Sequence, residues 1–295
     1  MAGKSALLRK ILVASDLSDQ SGLAIDRAAK LAREHEAEII IVHVVDEDLP
    51  SEAQSYLTTT SDHDIRAKLA RNSDAESLTK TIDIVVGRPD LDIAERAVAE
   101  EADLIVVGLH QRLLDENLDI QGTVAERIIQ GTHLPVLVVK NQPRGPYKSV
   151  VVGVDFSAYS VEATQSAAII APDAILHLVH AYQSQPNLLV RFRDSEARAR
   201  SAEHLHARMT SFIARQMATL EESAVAKLSK CPEVRHVYEP GEAHEVLKSQ
   251  IIQTEADLVA VGTHGRIGLT RSILGSVSTE IMNDRLADVL VVRPY

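Results

Sequence analysis

The chain has no tryptophan, and aromatic residues fill only 3% of its 295 positions. An aromatic platform for stacking single-stranded nucleic acid is therefore not expected. Cysteine occurs once, as Cys231, so no internal disulfide can form. That fits a reducing compartment. Positive charge is also short: 31 Lys and Arg stand against 42 Asp and Glu, a net −11. A nucleic-acid partner wants a basic face, so this balance argues against one. Long apolar runs are missing too. The densest, 39–45, contains His43 and is far too short to span a bilayer. The opening MAGKSALLRKILVASD lacks the apolar core of a signal peptide. A cytoplasmic protein without membrane insertion is the expectation. What remains is 45% apolar and 25% charged, the composition of a globular protein. The length allows two domains or one large one.

The chain repeats itself. Ile11-Leu12-Val13-Ala14-Ser15-Asp16 returns as Val150-Val151-Val152-Gly153-Val154-Asp155, followed by Leu17-Ser18 and Phe156-Ser157. Ala102-Asp103-Leu104-Ile105-Val106-Val107-Gly108 returns as Ala256-Asp257-Leu258-Val259-Ala260-Val261-Gly262. Val136-Leu137-Val138-Val139-Lys140 returns as Val289-Leu290-Val291-Val292-Arg293. The order is kept, so we read two copies, 1–143 and 144–295. A Pro- and Gly-bearing joint near Pro143-Arg144-Gly145-Pro146 separates them.

Within each copy, apolar runs alternate with helical patterns. In the first, Lys10–Ser15, Ile39–Val45, Ile82–Val86, Leu104–Val107 and Val136–Val139 read as buried strands. Residues 18–35, 91–101 and 124–130 read as helices, with Ser18 as N-cap. Residues 50–80 are polar and read as a broken helix. Near-continuous apolar strands between helices predict an α/β fold, each copy a five-stranded parallel sheet with helices on both faces. The last strands, Val136–Val139 and Val289–Val292, are apolar runs at sheet edges. They need a partner, and pairing with each other would make an internal pseudo-dimer.

Ligands of such sheets sit beyond the carboxyl ends of the strands, where strand order reverses. In the second copy that place reads Gly262-Thr263-His264-Gly265-Arg266-Ile267-Gly268-Leu269-Thr270-Arg271-Ser272-Ile273-Leu274-Gly275-Ser276, a G-x2-G-x9-G-S spacing. Glycines let backbone N–H groups approach phosphate oxygens. Gly275 and Ser276 stand at a helix start, which favours an anion. Ser276 can cap the helix or donate to phosphate. Arg266 and Arg271 add positive charge, and His264 is a candidate edge contact. The pattern is neither a Walker A loop nor a G-x-G-x-x-G fingerprint.

With that loop after the fourth strand, the chain resembles a tandem universal stress protein over nearly its whole length. The resemblance implies Rossmann-like, adenine nucleotide alpha hydrolase-like domains that bind ATP, with or without Mg2+. It implies that Asp155 contacts the adenine end and Ala181 lines the base. Gly262, Gly265, Gly275 and Ser276 would meet ribose and phosphates, with Val277 beside them. It also implies antiparallel pairing of the last strands, and leaves higher homo-oligomers open.

The first copy departs from the pattern. Gln111 stands where the second glycine belongs, and ten residues, not nine, separate it from Gly122. Asp115, Glu116 and Asp119 occupy the place of phosphates. Charge follows: residues 1–147 carry a net −9 and residues 148–295 a net −2. Nucleotide is expected in the second copy, with weak or no binding in the first.

Other patterns carry less. His204-x-His206 and His177-x2-His180 lack the spacing of a metal site. The Arg-rich stretch Arg191–Arg215 reads as a solvated face or a surface for a protein partner. No catalytic triad, Cys–His pair or placed base for ATP hydrolysis stands out. Two readings stay open: an ATP-binding regulatory or stress-response module, and an interaction scaffold whose nucleotide loops are vestigial.

Overall fold

A computed structural model describes residues 8–109, 123–182, 207, 210–211, 213–224, 228, 230, 232–264 and 274–293. The first half runs β1 (Lys10–Ala14), α1 (Asp19–His35), β2 (Glu38–Asp46), α2 (Ser51–Leu69), β3 (Lys80–Gly87), α3 (Pro89–Ala99), β4 (Leu104–Gly108), α4 (Val124–Gly131) and β5 (Val136–Val139). The second half repeats it with β6 (Ser149–Gly153), α5 (Ala158–Ile170), β7 (Ile175–Tyr182), α6 (213–224), β8 (Glu233–Pro240), α7 (Ala243–Gln253), β9 (Leu258–Gly262), α8 (Ser276–Asn283) and β10 (Asp288–Val292).

The strands lie in the order β3-β2-β1-β4-β5-β10-β9-β6-β7-β8. All neighbours are parallel except β5 and β10, which pair antiparallel with Val138 opposite Val289 and Val136 opposite Val291. The pseudo-dimer expected from the two apolar runs is present, but it is more continuous than two packed sheets. Each half contributes five parallel strands to a single ten-stranded sheet. All of β5 and β10 is buried, so the two strands that would be exposed apolar edges cover each other.

Helices cover both faces, so the inner strands are apolar on both sides. Ile11, Leu12 and Val13 of β1 are fully buried, as are Val150, Val151 and Val152 of β6. Ser18 caps α1 by accepting the Ser21 N–H at 3.1 Å. Ala24, Ala28, Leu31 and Ala32 then bury one stripe of that helix. Residues 213–224 bury Ile213, Met217, Leu220 and Ala224 at helical spacing.

The broken helix expected over 50–80 is instead one 19-residue helix, followed by a 3-10 turn at Ser73–Ala75. Four of its hydroxyl residues bond back within the helix, and Gln54 donates to the Glu47 and Leu49 carbonyls before it. The hydroxyls of Ser55, Thr58, Thr59 and Thr60 donate to carbonyls four residues back. Ile65 and Leu69, one turn apart, anchor its end in the core.

The halves also meet in a buried polar cluster. The Arg27 guanidinium lies 4.0 Å above the Tyr147 ring. Tyr147 donates its hydroxyl to Asp288 Oδ2 at 2.8 Å, and burial pushes that phenol far above its ordinary pKa. Asp288 Oδ1 accepts the N–H groups of Lys140 and Asn141 at 2.9 and 3.1 Å. Tyr147 and Asp288 are thereby satisfied where the joint crosses between halves, and Arg27 Nη1 donates to the Gly145 carbonyl at 2.8 Å.

Candidate functional site

Strand order reverses between β6 and β9, and the cavity lies at their carboxyl ends. After β6 the chain turns through Val154, Asp155 and Phe156 into α5. Asp155 Oδ1 accepts both the N–H of Ser157, at 3.0 Å, and its hydroxyl, at 2.5 Å. Ser157 in turn caps α5. Asp155 thus stands two residues before the cap and holds it from outside the helix. Phe156 adopts φ 63°, a left-handed conformation that a bulky residue rarely takes. The first half repeats the device: Asp16 accepts from Ser18, and Leu17 has φ 66°.

Opposite, β9 ends at Gly262. A side chain there would place Cβ 2.5 Å from Tyr159 Cβ, so glycine is required for the strand end to pack on the first turn of α5. This is a packing reason, beside the ligand role expected of Gly262. The strand end is tied down by Gly275 N–H to the Thr263 carbonyl at 2.7 Å. The buried Ser278 hydroxyl donates to the Gly262 carbonyl at 2.6 Å.

Of the two roles open to Ser276, capping the helix is excluded. Ser276 is the first residue of α8, and Gly275 is its N-cap, with no side-chain acceptor. A first-turn N–H has no partner inside its own helix. With a glycine as cap, the first turn of α8 offers donors to whatever occupies the cavity, and the exposed Ser276 hydroxyl does not serve as cap. In the first half, Thr123 Oγ1 accepts the Glu126 N–H at 3.2 Å and the Glu126 carboxylate accepts the Thr123 N–H at 2.6 Å. That capping box fills the first turn of α4 with the chain's own carboxylate.

The cavity holds about 490 Å³. Of the residues expected at the site, it brings together Asp155, Ala181, Gly262, His264, Gly275, Ser276 and Val277. Gly265 and Arg266 lie outside the described residues. So do Gln111, Asp115, Glu116 and Asp119 of the first copy, and most of the Arg-rich stretch. Val154, Val179, Leu247 and Val261 give an apolar wall. His244 Nδ1 meets Glu280 Oε2 at 2.9 Å and ties α7 to α8 across the rim.

Sequence reasoning missed His180 and Tyr159, which also line the cavity. His180 Nδ1 lies 2.7 Å from the Val154 carbonyl, and its ring centroid 4.4 Å from that of Phe156. His43 Nδ1 lies 2.7 Å from the Ser15 carbonyl at the equivalent place in the first half. The signal was a histidine repeated at the same register of the second strand in both copies. Tyr159 sits over His264, with centroids 5.7 Å apart.

Among the described residues, no helix is long and apolar enough to cross a membrane. The universal stress protein family model matches the chain twice, over residues 8–140 and 146–293. A universal stress protein of Methanocaldococcus jannaschii is 33% identical over 142 residues, covering 45% of this chain and 83% of that protein. One from Mycolicibacterium smegmatis is 27% identical over 315 residues, covering 99% of both. The crystal structure of a universal stress protein from Archaeoglobus fulgidus superposes with a TM-score of 0.66, at 19% identity, over 99% of this chain and 100% of that one. Two family matches that together take in almost every residue, on a fold with the same architecture, make this chain a member of the universal stress protein family.

Proposed function

We propose that the second domain, 144–295, binds ATP and that its occupancy serves a regulatory role in a stress response. The observation that carries this is the glycine-capped start of α8 facing a cavity of about 490 Å³ at the sheet's switch point. That volume is ordinary for small-molecule sites, roughly 300–1,000 Å³. The apolar wall of Val154, Val179 and Ala181 suits a base, and Asp155 offers an acceptor to an exocyclic amine. Gly275, Ser276 and Val277 offer N–H groups to phosphate oxygens. His264 and the Ser276 hydroxyl stand at the same end. Bound ATP would supply negative charge that satisfies these donors, and no protein ligand is assigned to Mg2+. The first domain, 1–143, carries a carboxylate at its own helix start and an acidic loop sequence. Both disfavour a polyphosphate there.

The test is the mass spectrum of ligand released from denatured, purified protein, followed by calorimetric titration with ATP. About one site per chain is expected. Two equal sites would overturn the assignment to one domain. No binding at millimolar ATP would leave the protein an interaction scaffold.

A further inference from the structure

Helix α8 is held at both ends. Its first turn is fixed within the second half, by Ser278 to Gly262. Its last turn is fixed by the first half. The ammonium of Lys140, the residue after β5, donates to the Ile281 carbonyl at 2.8 Å and also to the Asp284 carbonyl. The main chain of Lys140 is itself anchored, since its N–H donates to Asp288 at 2.9 Å. Eight helical residues span about 12 Å, so the cation sits one short helix away from the glycine cap.

The arrangement is reciprocal. Arg293, which follows β10 as Lys140 follows β5, donates from Nη1 to the Gln130 carbonyl at 2.7 Å, in the last turn of α4. Each half therefore caps the carboxyl end of the other half's helix with a cation, the favourable sign for that end.

We propose that Lys140 is a positioning residue for the nucleotide site of the second half, acting through α8. This rests on the ATP reading above. The first half then contributes to a ligand it does not touch. Burial makes the group titratable in an accessible range: desolvation, aided by Arg285, lowers the Lys140 ammonium to about 8, against the raising effect of Asp284 and Asp288. Both acids around it have a further cation partner. Lys248 of α7 pairs with Asp284 at 3.5 Å, and Arg27 of α1 pairs with Asp288 at 3.4 Å.

The experiment uses the full chain with Lys140→Gln, Lys140→Arg and Arg293→Gln. ATP affinity is measured from pH 7 to 9.5, and amide hydrogen exchange of 276–278 is followed without ligand. Lys140→Gln is expected to weaken ATP by about three- to tenfold at pH 7 and to speed exchange at the start of α8. Arg293→Gln is expected to speed exchange in α4 and leave ATP affinity unchanged. Wild-type affinity should decline through pH 8, while Lys140→Arg, which stays charged, holds flat. Unchanged exchange in α8 on Lys140→Gln overturns the proposal, whatever ATP does. Equal weakening of ATP by Lys140→Gln and Arg293→Gln also overturns it. Loss of ATP binding in the wild type, with the exchange effect intact, would count against the ATP reading alone.

Discussion

Arg27 Nε of the first half lies 3.4 Å from Asp288 Oδ2 of the second, and both side chains are almost fully buried. Removing one partner leaves an uncompensated charge in the interior. Asp288→Ala is expected to destabilise the chain by about 3–5 kcal/mol, and the double change Arg27→Met with Asp288→Asn by less, because the amide removes the charge and keeps an oxygen for the Lys140 and Asn141 N–H groups. Urea unfolding of the two variants and the wild type decides it. A double variant as unstable as the single one would mean that the pair does not act as a unit.

Ser276→Ala removes one hydroxyl from the start of α8, where it does not cap the helix. ATP affinity should drop by about 1.5–3 kcal/mol while the melting temperature stays put. Gly275→Asp should abolish binding, because its carboxylate would take the place of phosphate at the helix dipole. Thr123→Ala is the control. It breaks a real cap and should cost about 1 kcal/mol of stability with no change in ATP. Titration and thermal melts on the three variants separate these outcomes.

His180→Leu unlatches the turn that carries Asp155, because the Val154 carbonyl loses its partner. Affinity for ATP should weaken about two- to tenfold. His43→Leu makes the same cut in the first half and should lower stability by about 1–3 kcal/mol, leaving ATP untouched. A loss of ATP binding in His43→Leu equal to that in His180→Leu would contradict a site confined to the second half.

Asp74 takes hydrogen bonds from Lys30 at 2.7 Å and Arg33 at 2.5 Å. The Lys30 hydrogen bond, chiefly, holds its carboxyl below the ordinary value of 3.8. A depressed carboxylate contributes stability above its unfolded pKa and loses it as pH falls through the folded value. Asp74→Asn should therefore be less stable than wild type at pH 7, and the difference should close below pH 3.8. Denaturation curves across that range give the answer.

The fold was legible because its inner strands are buried on both faces. Runs such as Ile11–Val13 and Val150–Val152 cannot be mistaken for half-exposed strands, and their repetition revealed the duplication. Pairing of β5 with β10 followed from two apolar edges that each needed cover. Helix α2 was not legible, because it is rich in hydroxyl residues that do not favour a helix and its burial is confined to Ser61, Ile65 and Leu69 near its end, not a full apolar stripe. The site was half legible. Glycines and the Asp ending strand one announce themselves by spacing. His180 reads as a strand residue until the sheet places its ring beside the Val154 carbonyl. Gly275 could be separated from Ser276 as the cap only by backbone angles, which spacing does not carry.

The antiparallel seam between β5 and β10 has a consequence for how the halves can diverge. In a symmetric dimer of separate chains, every substitution appears twice, so a loop that spoils one pocket spoils both. Here the partners are joined by a short covalent joint, and their pairing does not depend on protein concentration. One half is then free to drift in sequence at its ligand end while still serving as the obligatory neighbour of the other. Dilution cannot release it, and an unrelated family member cannot readily replace it.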